Sequence, residues 1–433
     1  MKQFDRTRVK TRLHSYRNNV LLKRFTAIIG VDILVKASGF ILIPVYLRLM
    51  SQEEYGMYNY LLSIIQTFSL VLNLGLYVPQ SKLYHSYESK EEKGKLLFTI
   101  ITTLLFFIVI ISIPVFVFRL DQWLIEVLFS GSVSYNQYIK AVLFALVSTL
   151  LSFMLTNFFY TSEKIKQVKA YNIFRIILVN LFAMLALYFI KGDAVETRLL
   201  FTYGVELVLI CFFGYYFVRE LVPVFSKKIL VTSLKMGLPI MVSALFGIIV
   251  NFSDKYFLEK YGTLKDLSNY YLAFSFASII PLIFASLQNV WIPLFMKEKD
   301  IQKNVEKTNK LISKLLLLFL PLALFIWLLF ESLLWINVIP VKYAHVTYIL
   351  PILLITQILA SISPLFSNYL VYFEKTQLIS IAGILVSIVS LAAGLWLIPL
   401  WGVYGAAITS LISNLLYLLI YQYMVKSYAI KKG

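Results

Sequence analysis

Unbroken apolar stretches alternate with short polar segments along the whole of this chain. Taken in order they are 25–48, 57–80, 96–118, 138–161, 170–190, 198–218, 230–256, 268–296, 311–332, 346–372, 377–399 and 402–425, twelve in all. At 1.5 Å rise per residue, about 20 residues of helix cross the roughly 30 Å hydrocarbon core of a bilayer. The pattern predicts an all-α polytopic membrane protein of about 12 transmembrane helices.

The first run, FTAIIGVDILVKASGFILIPVYLR, interrupts its own apolarity with Asp32 and Lys36. These lie four residues apart, hence on one helical face. A charge at bilayer depth costs about 2.5–3.5 kcal/mol even on lenient insertion scales, so that face is expected to meet protein or water. A spanning helix with a charged face implies a polar interior between helices, as a transporter needs. A self-neutralised pair that merely locks helices together is the bland alternative.

Composition agrees with the pattern. The chain of 433 residues is 60% hydrophobic and 14% charged, with a mean hydropathy of +0.80. Soluble domains run at about 45–50% apolar and 25% charged. The basic excess, 40 Lys and Arg against 22 Asp and Glu, is dispersed over short loops, which excludes nucleic acid as partner. With the N-terminus inside, 28 bases fall on cytoplasmic segments and 8 on outer loops. That bias places both termini in the cytoplasm and makes the span number even. Residues 1–24 carry eight of the bases; Leu13, Tyr16, Val20 and Leu21 share a face there, which suits a short helix on the anionic leaflet. The first run is too long for a signal peptide and no small-x-small cleavage site follows it.

Chemistry-bearing motifs are few. The chain has no P-loop, no dinucleotide-binding glycine pattern and no HExxH, so transport must draw on an ion or substrate gradient. The lone Cys211 and the dispersed His14, His85 and His345 give no reason to expect a metal or any cofactor. Outer connections, the longest about 119–137, are too short to fold as catalytic domains. Candidate site residues are therefore the charges inside spans. Lys36, Arg175 and Lys235 are candidates for the substrate path, with snorkelling to the interface the alternative for Lys235. Asp32, Glu206 and Asp254 are candidates for ion coupling or charge pairing. Glu206 has no base a turn away, so it is protonated or paired across helices. Asp254 and Lys255 close the seventh run at the expected outer surface, where solvation alone could explain them.

A weak internal repeat overlies the spans. Tyr46 and Asn59-Tyr60 recur as Tyr256 and Asn269-Tyr270, and Glu163-Lys164 recurs as Glu374-Lys375, at separations of 210 and 211. Six spans per repeat is even, so the halves are parallel repeats about an axis along the membrane normal. The expected organisation is a basic cytoplasmic segment (1–24), a first six-helix bundle (25–218), a cytoplasmic linker (219–229), a second bundle (230–425) and a cytoplasmic tail (426–433).

Three segments carry a family resemblance. EEYGMYNYLLSI (53–64) resembles the segment joining spans 1 and 2 in bacterial polysaccharide flippases of the Wzx type. KMGLPIMVSALFGIIVNFSDKYFL (235–258) resembles their span 7, and WGVYGAAITSL (401–411) the turn that begins span 12. The resemblance implies two six-helix bundles around a central cavity, in the superfamily that also holds multidrug antiporters. It implies as cargo an undecaprenyl-pyrophosphate-linked oligosaccharide, turned to the outer leaflet by alternating access for capsule, O-antigen or exopolysaccharide synthesis. Membrane lipids, a polysaccharide polymerase and a chain-length regulator are the partners it implies. Of the family's charges only Asp254 and a cationic cavity carry over. Relative to peptidoglycan-precursor flippases the chain lacks extra C-terminal spans and an arginine-rich span 1, which argues against that cargo. A proton- or sodium-coupled multidrug antiporter of the same fold is the alternative; it would call for an acidic cavity.

Overall fold

The computed structural model describes residues 39–129 and 138–429, and every regular element among them is helical. The first half comprises α1 (Gly39–Leu49), α2 (Gln52–Leu72), α3 (Tyr77–Ser86), α4 (Lys90–Val117), α5 (Leu120–Leu128), α6 (Ile139–Thr161), α7 (Ile165–Phe189) and α8 (Ala194–Val218). A stretch without regular structure at 221–226 leads into the second half. It comprises α9 (Lys227–Tyr261), α10 (Leu264–Ala277), α11 (Ile279–Lys297), α12 (Ile301–Trp335), α13 (Val346–Tyr372) and α14 (Thr376–Ala429).

Among the described residues nine helices are long and apolar enough to cross a membrane, with α10 and α11 together supplying one, and ten if the bent pair α2–α3 is one span. The last of them, α14, covers the two final expected runs, broken at Gly402, whose φ of 54° and ψ of -127° are not helical. Together with α1, whose run begins outside the described residues, each of the twelve expected runs has a helical counterpart. Large apolar side chains such as Phe106, Phe212, Leu317 and Trp396 point outward, exposed by 65–77%, as lipid-facing positions do. This is a multi-pass membrane protein.

One element was not expected, and one runs longer than expected. Helix α5 lies in the stretch read as an outer connection; its nine residues, LDQWLIEVL, are amphipathic but far too short to span. Helix α9 runs on to Tyr261, past the expected end at 256, so Asp254 and Lys255 fall inside it. They are buried, 1% and 6% exposed, so solvation alone does not explain them.

The repeat has a structural basis. Ser51 caps α2 in a reciprocal capping box with Glu54, and Thr263 caps α10 in the same way with Asp266. Glu163 and Glu374 both take left-handed backbone, φ 55° and 57°. Each corner is closed by the equivalent hydrogen bond, from Lys164 N to Phe159 O (2.9 Å) at the first and from Lys375 N to Leu370 O (2.7 Å) at the second.

Helices α2 and α10, the repeat mates, pack directly on each other where their capping boxes lie, here called the capped end. Gly56 makes this possible, since a Cβ there would meet Leu264 O at 2.1 Å. Polar bonds cross the same seam: Gln52 Nε2 donates to Asn269 Oδ1 (2.9 Å), and Arg48 and Lys342 donate to the carbonyls of Asn337 and Met50. At the opposite end Gly75, φ 66°, meets Gly237 of α9 backbone to backbone. The halves thus touch at both ends and leave a space between them.

Candidate functional site

The space between the halves is a cavity of about 770 Å³, within the range of ligand sites. From α2 it receives Tyr55, Asn59, Ser63, Gln66 and Thr67, which the helical period puts on one stripe. The other face of α2, with Leu61, Ile64 and Ile65 buried, packs into the first half. From α9 come Gly247, Asn251 and Lys255, again four residues apart. Helix α10 adds Tyr271, whose hydroxyl donates across the cavity to Ser63 Oγ at 2.8 Å. That polar stripe inside an apolar run was the signal in the sequence, and its residues are uncharged, which is why an inventory of charges passes over them.

Among the described residues two cations line the cavity, one from each half. Arg198 begins the membrane part of α8, and its guanidinium carbon lies 3.5 Å from the Tyr46 ring centre and 3.7 Å from that of Tyr58. Tyr46 is itself fixed by donating its hydroxyl to Asn180 Oδ1 at 2.9 Å. Each such stack contributes about 0.5–2 kcal/mol. The aromatic clamp holds the fork in place without a carboxylate: Arg198 forms no ion pair among the described residues, and its Nε has no hydrogen-bond partner. As the first residue of the run 198–218, Arg198 does not stand out in the sequence as a charge within a span.

Lys255 reaches the cavity from α9. Its Nζ donates to Asn251 O at 2.7 Å and to Asp254 Oδ1 at 3.1 Å, and lies 4.8 Å from the Phe274 ring centre. Asp254 points away from the cavity, where it accepts from the Tyr270 hydroxyl and from Ser410 Oγ (2.8 Å) on α14. Burying a carboxyl group is costly unless it is hydrogen-bonded, and this one accepts from four donors.

The other sequence candidates lie elsewhere. Arg175 sits at the start of a π turn in α7, and its Nε donates to Glu206 Oε1 at 2.8 Å. Ser152 Oγ donates to the same oxygen at 2.6 Å. Having spent its proton there, Ser152 accepts from the Tyr171 hydroxyl at 2.7 Å. Glu206, 2% exposed, is thus paired across helices inside the first half, and Arg175 is not among the cavity-lining residues. Lys235 is exposed on α9 and does not line the cavity either. Asp32 and Lys36 lie outside the described residues. No carboxylate is among the described residues that line the cavity. Among the described residues no group of three or more His, Cys, Asp or Glu could hold a metal ion.

Residues 21–299 match the model of a family described as polysaccharide biosynthesis protein. No curated protein sequence matches the chain. The fold is similar to that of a lipid II flippase, MurJ, in an inward closed conformation (TM-score 0.70, 18% identity, 92% of this chain and 88% of that one). It is also similar to a multidrug resistance MATE family transporter of the MOP superfamily in its inward-facing conformation (TM-score 0.68, 13% identity, 92% and 99% covered). An outward-facing structure of a transporter so described gives a TM-score of 0.57 at 15% identity, with 95% and 96% covered. At these identities the likeness establishes the fold.

Proposed function

The chain belongs to the polysaccharide biosynthesis protein family, and from that premise we propose that it is a flippase for lipid-linked oligosaccharides. It would carry undecaprenyl-pyrophosphate-linked repeat units from the inner to the outer leaflet of the bacterial cell membrane, for capsule, O-antigen or exopolysaccharide synthesis. The observation that carries this reading is a cavity shared by both halves, holding Arg198 and Lys255 and lined by no described carboxylate. Such a lining attracts an anion such as a pyrophosphate and repels a cationic drug. The polar stripe of Asn59, Ser63, Gln66 and Thr67 offers hydrogen bonds to sugar hydroxyls.

The working cycle follows from the contacts at the two ends. The two bundles, 25–218 and 230–425, rock about the 219–229 linker, and the seams at Gly56 and Gly75 open in alternation. The higher similarity to inward than to outward conformations supports placing the capped end on the outer side, with both termini cytoplasmic. Asp254 and Glu206, each held by a base within one half, are the candidates for a coupling proton. Arg175 and Lys235 would act at the rim of the path rather than in it, and Lys36 remains a candidate for the first span. A polymerase and a chain-length regulator would act on the product outside.

The test is a deletion strain whose lipid-linked oligosaccharides are assigned to a leaflet with an impermeant sugar-cleaving enzyme. Accumulation of complete inward-facing repeat units, relieved by the wild-type gene but not by Arg198→Ala, is the expected result. A normal leaflet distribution together with altered drug susceptibility would replace this reading by the multidrug antiporter.

A further inference from the structure

A second recess, about 690 Å³, opens where the first half meets the start of the linker, at the end of the molecule opposite the capped end. Three separate segments build it: α3 with Tyr84, the first turn of α4 with Lys90 and Lys93, and the end of α8 with Arg219 and Glu220; Lys164, from the corner before α7, completes it. Its walls are fixed. Gly94 of α4 packs so tightly on the linker that a Cβ would meet Glu220 O at 2.6 Å and Val222 Cγ2 at 2.5 Å.

The charges of the recess do not cancel. Glu220 is taken up by Lys164 and by the Tyr84 hydroxyl, which donates to it at 3.2 Å. Glu91, which also lines the recess, pairs at 2.5 Å with Lys95, which does not. Among the described residues Lys93 and Arg219 pair with no carboxylate and face aromatic rings, 5.2 Å from the centre of Tyr84 and 5.3 Å from that of Tyr215. Lys90 pairs with no carboxylate among the described residues. Three cations without acid partners thus converge on one cavity of ligand size. Beside its mouth, α8 presents Phe212, Tyr215 and Val218, exposed by 57–71%, an apolar flank that would meet acyl chains.

We propose that this recess binds the phosphodiester headgroup of an anionic bilayer lipid, with the acyl chains lying along the exposed face of α8. A phosphate held by Lys90 and Lys93 on one side and Arg219 on the other ties α4 to the root of the linker, so the lipid braces the first half against the segment that joins it to the second. The recess is separate from the central cavity and shares no lining residue with it. The proposal therefore stands or falls independently of the cargo.

The test uses the purified full-length protein in neutral detergent, titrated with phosphatidylglycerol, phosphatidylcholine or inorganic phosphate. Thermal unfolding and lipid adducts in native mass spectrometry are read together. Phosphatidylglycerol is expected to raise the unfolding midpoint while phosphatidylcholine does not. Lys93→Gln/Arg219→Gln should lose that rise and retain one fewer tightly bound phosphatidylglycerol. A charge-matched control at the same end of the other half, Lys299→Gln/Lys310→Gln, should keep both. Should the double variant prove too unstable to purify, Lys90→Gln alone must still weaken the adduct. Full retention of rise and adduct in the recess variants would overturn the proposal. A rise of equal size with inorganic phosphate at equal concentration would overturn the lipid assignment in favour of a free-phosphate site.

Discussion

Gly56 of α2 lies against Ser268 of α10 so closely that a Cβ on Gly56 would sit 3.1 Å from the Ser268 nitrogen and 2.1 Å from the Leu264 carbonyl oxygen. The obstruction is backbone, not a side chain that could turn aside. Gly56→Ala must therefore pry the two helices apart at the capped end, at a cost of about 1–3 kcal/mol. The expected outcome is a protein that folds but cannot seal that end. A disulfide between cysteines at Gln52 and Asn269, which hydrogen-bond in the native seam, should form readily alone and slowly beside Gly56→Ala. Equal cross-linking rates would show that the seam tolerates the methyl group.

Arg198 is held by planes rather than by charge, so its replacement by lysine is not conservative. An ammonium cannot stack on both Tyr46 and Tyr58 at 3.5 and 3.7 Å as a flat guanidinium does. Arg198→Lys is expected to lose most of the export that Arg198→Ala loses, with protein levels maintained in both. Tyr58→Phe keeps the ring and should keep the activity. Wild-type export in Arg198→Lys would mean that only the charge matters.

The Arg175–Glu206 pair makes a prediction about stability rather than transport. A fully buried pair that loses one member costs about 3–5 kcal/mol. Arg175 is 44% exposed, so Arg175→Met should cost less, about 2 kcal/mol, by leaving Glu206 uncompensated among Ser152 and Tyr171. Arg175→Met/Glu206→Leu should recover much of the loss, since no charge is then stranded. Thermal unfolding of both variants decides this; additive losses would mean that the two residues do not interact.

Glu53, in the first turn of α2 ahead of the apolar run, faces Lys265 across the capped seam at 3.2 Å. Hydrogen bonding to its own backbone amide, aided by Lys265, holds its pKa below the ordinary 4.5. A depressed carboxylate contributes stability that is present above the unfolded pKa and is lost as pH falls through the folded one. The seam should thus be indifferent to pH above 4.5 on account of this group and loosen below it. Faster proteolysis at the 49–52 connection in acid, absent from the pH response of Glu53→Gln, is the expected reading. An identical acid response in the variant would remove Glu53 from the seam's energetics.

Hydropathy made the spans legible because in lipid the backbone can satisfy itself only as helix. The places where reading failed share one cause, that depth and partner are set by neighbouring helices. Arg198 and Lys255 sit near run ends, where sequence alone assigns solvent. Their aromatic companions Tyr46, Tyr58 and Phe274 come from other helices and from other turns. Glu206 could be read as needing a partner, but α7 had to be packed on α8 before Arg175 could be named. The short amphipathic α5 carries no spanning signal at all.

The repeated Glu-Lys pair was visible in sequence, and its reason is conformational. Glu163 and Glu374 each occupy the left-handed position that ends a helix after residue 161 or 372, and Lys164 and Lys375 then close back onto it. A non-glycine residue pays a steric penalty there of about 1 kcal/mol, which glycine does not. Glu374 is exposed at the corner, and its backbone amide, not its side chain, makes the bond to Val371 O. Glu374→Gly is therefore expected to stabilise the protein by up to about 1 kcal/mol, where glycine inside a helix would destabilise it by a similar amount. The paired control is Ser380→Gly, four residues into α14, which should lower the unfolding midpoint. A lowered midpoint for Glu374→Gly as well would show that the glutamate side chain, and not the backbone geometry, is what the corner needs.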